Sequence, residues 1–307
     1  MILLLFGKLA VIFALVGVGF FARKRNIMDA GIQSGLSKLV LYIAMPALIL
    51  SNADVEYSAE HMRNIVFIVL FAVAYYVVAI VLCNLFARMI KLKDDRRRAM
   101  ITMMVFANVG FLGYPIISIF LPENGVFYAV FFNIIFQLFL FTYGNSLMSR
   151  KPIANPLGLI KDPNIFSAIL MLALFLLQIK LPAPVMETLD ILGGLCTPLS
   201  MLVIGSTLAP LKIRELFTER DLYIASFVRL LLIPFLGIGA LLLAGAGGQN
   251  ATVIAVLLAM PSASTVAILG ERYACEPELC SKGIVLQTLL SFLTIPLVGF
   301  AVTALFG

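Results

Sequence analysis

The residues best placed to do chemistry in this 307-residue chain are uncharged and sit inside apolar runs. "NVGFLGYP" sets Asn108 and Tyr114 beside Gly110, Gly113 and Pro115, and "AMPSAST" sets Ser262, Ser264 and Thr265 directly behind Pro261. "FFNIIFQ" carries Asn133 and Gln137 four residues apart, and "VLQTLLS" carries Gln287 and Ser291 at the same spacing, so each pair shares a helix face. Amides and hydroxyls offer hydrogen bonds without charge. Such a set suits a small polar or anionic organic solute better than a metal ion, and the same side chains also serve as contacts between membrane helices.

Catalysis and cofactors find little support. His61 is the sole histidine and falls in an expected outer loop, no HExxH pattern occurs, and Ser262 and Ser264 have no base nearby in sequence. A GxxxxGK[ST] phosphate loop is missing, so no nucleotide is expected to be hydrolysed, and no cofactor or metal is expected. The four cysteines, Cys83, Cys196, Cys275 and Cys280, read as packing or inert thiols.

The elements that must position these groups are membrane helices. Hydrophobic residues make up 62% of the chain and charged ones 12%, with a mean hydropathy of +1.08, whereas soluble domains run near 45–50% and about 25%. Apolar runs of about 20 residues give ten expected spans, at 2–22, 32–52, 64–88, 99–120, 124–148, 164–180, 187–209, 221–246, 250–270 and 281–306. The first reads as a retained helix and not a signal peptide, because no basic segment precedes it. An all-α polytopic protein of the cell membrane is expected, with the lipid bilayer as its surroundings.

Charge sets the expected orientation. If the amino terminus is outside, seventeen Lys and Arg residues fall in inner loops, among them Arg88, Arg96, Arg97, Arg98, Lys212 and Arg214. Only Arg63 and Lys180 fall outside, so both termini are expected to be extracytoplasmic. The formal charge of +6 is thus an orientation signal, and no nucleic acid is expected as a partner.

Division at the loop Ser149–Asn164 leaves five expected helices in 1–150 and five in 151–307, and an odd number inverts one half against the other. Pro46 answers Pro198 after 152 positions, the break around Val109 answers Pro261 after 152, and Asn133 answers Gln287 after 154. The common register predicts a 5+5 inverted repeat with broken fourth and ninth helices, an arrangement that places a solute site near the midplane. Pro115 and Pro261 lack the donor for the carbonyls of Phe111 and Leu257. Backbone groups freed at that depth need protein or a watery cavity around them. Arg229, in "SFVRLLLIP", lies about 12 Å into the eighth expected helix, where snorkelling, a structural partner or an anionic solute could each account for it.

"MPALILSNAD", "FANVGFLGYPI", "AMPSASTVAILGERY" and "VRLLLIP" resemble the auxin efflux carrier family, in the compact form of prokaryotic malate-permease-like members. The resemblance implies an elevator-type secondary carrier of small organic anions such as carboxylates or auxin-like acids. Helices 1, 2, 6 and 7 would form the scaffold, and 3–5 and 8–10 the transport unit. It implies solute contacts at Asn108, Pro115, Asn133 and Pro261, and also at Gln137 and Ser51. A sodium-coupled symporter of the bile-acid type and a passive channel remain alternatives. The oligomeric state stays open, a homodimer through the scaffold helices being one arrangement.

Overall fold

The computed structural model describes residues 2–152, 156–210 and 219–306. Lys212 and Arg214, counted above among the inner-loop cations, lie outside the described residues. The regular structure among the described residues is helical. We number the helices α1 (Ile2–Lys24), α2 (Ala30–Ser51), α3 (Ala59–Met89), α4 (Asp94–Val105), α5 (Val109–Phe120) and α6 (Gly125–Ser149). There follow α7 (Pro163–Leu177), α8 (Ala183–Leu208), α9 (Arg220–Leu243), α10 (Gly248–Leu258), α11 (Thr265–Arg272) and α12 (Pro277–Phe306). Among the described residues six of them, α2, α3, α6, α8, α9 and α12, are long and apolar enough to cross a membrane. The protein is a multi-pass membrane protein.

Local chemistry explains where these helices start and bend. Asp29 caps α2 by accepting from the Ile32 amide at 2.8 Å, and Asp162 caps α7 by accepting from the Asn164 amide at 2.9 Å, with Pro163 pre-set in the first turn. Three of the prolines follow a π-helical turn by two residues: Pro46 after Val40–Ala44, Pro115 after Val109–Gly113 and Pro234 after Val228–Leu232. In the first, the Met45 amide reaches back to the Val40 carbonyl. Widening the turn gives the ring room where an α-helical carbonyl would clash.

The chain groups into two compact units. One comprises Met1–Phe67, Gly110–Ile134 and Leu157–Pro210, and the other Ile68–Val109, Ile135–Pro156 and Leu211–Gly307. In the first, α1 and α8 meet backbone to backbone: a Cβ on Gly205 would stand 1.9 Å from the Val16 carbonyl oxygen, and one on Gly19 2.3 Å from that of Leu202. Such close approach is the mode by which membrane helices gain dispersion contacts without a hydrophobic driving force. Gln33 of α2 ties on by accepting from Ser206 at 2.7 Å and donating to Thr207 at 3.2 Å. In the second unit α4 packs on α12, where a Cβ on Gly283 would collide with Met103, and residues 98–105 are all buried.

Candidate functional site

The second unit contains the gaps of two interrupted helices. α4 ends at Val105 and α5 begins at Val109, with Phe106–Asn108 extended between them; α10 ends at Leu258 and α11 begins at Thr265. The two gaps pair with each other. Ala107 and Ser262 form an isolated antiparallel bridge, in which the Asn108 amide donates to the Pro261 carbonyl at 2.7 Å and the Ala263 amide to the Phe106 carbonyl at 2.9 Å. Extended backbone inside an apolar protein has to find such partners. The first gap directly precedes Val109, around which the break was expected, but Pro115 sits seven residues beyond Asn108, in the first turn after the π turn, and so does not itself open the gap.

Pairing leaves the last carbonyls of α4 and α10 unmatched, and Arg229 takes them. Its side chain is fully buried. Nε donates to the Met260 carbonyl at 3.0 Å, Nη2 to that of Leu258, and Nη1 to those of Met104 at 3.2 Å and Val105 at 3.3 Å. Nη1 also donates to the Tyr75 hydroxyl at 2.8 Å, and that hydroxyl donates to the Val105 carbonyl at 3.1 Å. Arg229 therefore does not snorkel. The helix ends that it joins are far apart in sequence, which is why an isolated arginine in an apolar run gave no sign of its partners; the proline five residues on was the one local hint of an irregular turn.

Beside the bridge, the Ser262 amide donates to Oε1 of Gln287 at 2.9 Å. The Ser262 hydroxyl and Nε2 of Gln287 are buried without a hydrogen-bond partner. An unsatisfied buried donor costs about 1–3 kcal/mol, so two of them on residues that are themselves hydrogen-bonded to each other call for a reason. Asn108 and Gln137 are buried in the same unit, as is Ser291, whose hydroxyl donates to the Thr288 carbonyl at 2.7 Å; Ser264 and Thr265 are half-buried at the start of α11.

The remaining expected site residues belong to the first unit. Nδ2 of Asn133 donates to the Tyr114 hydroxyl at 2.9 Å, both groups being buried, while Pro115 is buried next to Tyr114 and Gly110 faces the thioether of Met45. Ser51 lies elsewhere in this unit, lining a polar cavity of about 290 Å³ with Asn52, Asp54, Glu56, His61 and Glu123. His61 stands in the first turn of α3 and not in a loop, with Nδ1 2.5 Å from the Tyr128 hydroxyl, which also accepts from Asn64 at 3.1 Å. Of the four free cysteines, all buried, Cys275 lies outside the apolar helices, and burial pushes its thiol up while the nearby Arg98 opposes this.

Apolar helices long enough to cross a bilayer, together with helices broken by two interruptions that pair with each other, define an integral membrane protein. The chain matches the membrane transport protein family over residues 4–156 and 153–298 and belongs to that family, in agreement with the auxin efflux carrier motifs. It is 27% identical to an uncharacterized transporter of Methanocaldococcus jannaschii over 94% of this chain and 96% of the relative. It is 26% identical to an uncharacterized transporter of Methanothermobacter thermautotrophicus, over 93% and 94%. A Rhizobium meliloti protein named "Putative malonate transporter" is also 26% identical, over 94% and 93%.

Proposed function

We propose that this protein is a secondary carrier for small organic anions, with the solute held beside the paired interruptions of α4/α5 and α10/α11. The observation that carries the reading is the pair of partnerless donors, the Ser262 hydroxyl and the Gln287 amide, next to the Ala107–Ser262 bridge. A carboxylate oxygen would satisfy both. The amino-terminal ends of α5 and α11 add an electropositive field that favours the same chemistry.

In this reading the chain crosses the membrane ten times as two inverted five-helix repeats with both termini outside, the paired gaps are the crossing point of the broken helices, and transport proceeds by an elevator movement. Asn108 and Gln137, buried in the same unit, complete the solute contacts. The spacing of the repeated prolines and the charge bias of the loops support this arrangement. The name of the Rhizobium relative makes malonate the first solute to try, with malate beside it.

Uptake of radiolabelled malonate and malate into proteoliposomes tests the proposal. Saturable uptake is expected, falling at least about tenfold, or 1.4 kcal/mol, in Asn108→Ala and in Ser262→Ala at equal reconstitution. Unchanged uptake in both variants refutes the site.

A further inference from the structure

We propose that the Arg229 guanidinium is a built-in cation that holds the paired interruptions together, in the place where a broken-helix carrier of the sodium-coupled kind would bind a metal ion. The inference rests on the reading of the gaps as the solute site and deepens it. It assigns Arg229 a positioning role and makes assembly of that site independent of sodium.

The argument begins with charge. A helix carries about half a negative elementary charge at its carboxyl end. α4 and α10 both stop at the gap, so two such ends bring close to one negative charge into an apolar interior. Unwound carbonyls and half-helix carboxyl ends are what coordinate sodium in carriers with discontinuous helices. Here the same kind of oxygens, those of Met104 and Val105 on one side and Leu258 and Met260 on the other, all accept from one guanidinium.

Guanidinium chemistry fits this position. Its five N–H groups lie in a fixed planar fork, it stays protonated even when buried, and it is less strongly hydrated than an ammonium. Four carbonyls and the Tyr75 hydroxyl occupy that fork. Tyr75 in turn donates to the Val105 carbonyl, so the fifth contact also serves the end of α4. Among the described residues no carboxylate pairs with Arg229, so its positive charge faces helix ends. The π turn Val228–Leu232 is the local distortion in which Arg229 sits, and a widened turn of this kind is often found at functional positions.

The test is thermal unfolding of the purified protein in detergent, with sodium chloride or choline chloride at equal ionic strength. The wild-type Tm is expected to be the same in both salts. Arg229→Ala is expected to unfold at least about 5 °C lower, and to regain half or more of that loss in guanidinium chloride at tens of millimolar, with urea at the same concentration giving none. Arg229→Lys, which keeps the charge but not the fork, is expected between the two. Sodium-specific stabilisation of the wild type overturns the proposal, as does an Arg229→Ala protein as stable as wild type or one that guanidinium does not restore. If Arg229→Ala cannot be purified folded, the wild-type salt comparison and the Arg229→Lys Tm decide: equal Tm values for wild type and Arg229→Lys also overturn it. These readings involve no solute, so they stand or fall separately from the uptake of malonate.

Discussion

Gly205→Ala tests the packing of the first unit most sharply. The added Cβ would stand 1.9 Å from the Val16 carbonyl oxygen and 2.7 Å from the Phe20 amide nitrogen, both of them backbone atoms that cannot rotate away. Real Cβ atoms essentially never come closer than 3.0 Å, so α1 and α8 must separate by about 1.1 Å, loosening the reciprocal contact at Gly19 as well. Overpacking of this sort costs about 1–3 kcal/mol, which corresponds to a Tm lower by roughly 2–10 °C. Gly17 of α1 provides the control, since a Cβ there meets nothing within 4 Å. Gly17→Ala is expected to leave stability unchanged or raise it by up to about 1 kcal/mol, because alanine loses less conformational freedom in a helix. The assay is thermal unfolding of both variants in one detergent, followed by tryptophan-independent dye binding or size-exclusion survival. Equal Tm values for the two variants, or a lower one for Gly17→Ala, refute the account of how α1 and α8 meet.

Two further outcomes follow from the site and the topology. Ser262→Ala keeps the amide that donates to Gln287 but removes the partnerless hydroxyl; it is expected to leave Tm unchanged or raise it while lowering malonate uptake, and a clear loss of stability would mean that the hydroxyl has a structural partner. For orientation, Glu56→Cys is expected to react with a membrane-impermeant maleimide on intact cells, and Lys93→Cys only after permeabilisation. The four native thiols are buried and give a low background, and the opposite labelling pattern would invert the topology.

Much of the architecture could be read from residue types because its causes are local. A glycine without a Cβ and a proline without an N–H weaken a helix wherever they occur, so "NVGFLGYP" and "AMPSAST" marked the two interrupted regions without knowledge of their partners. The details were less legible. Pro115 is accommodated by a π turn, and the extended residues lie before it at Phe106–Asn108, because they are held by hydrogen bonds to Pro261 and Ala263 and not by the proline. His61 likewise belongs to α3, since the helix begins at Ala59, earlier than hydropathy alone suggested.

By itself, then, the sequence determined that this is a membrane protein of many helices and where two of those helices are interrupted. Apolar content, proline and glycine act through the chain's own stereochemistry and its transfer from water, so they need no knowledge of neighbours. Only the tertiary structure decided that the gaps pair with each other, that Ser262 and Gln287 leave donors unspent, and that Arg229 closes the ends of α4 and α10. Those outcomes depend on carbonyls as far as 125 residues from the arginine that binds them. No local propensity encodes which distant oxygen a buried donor will meet.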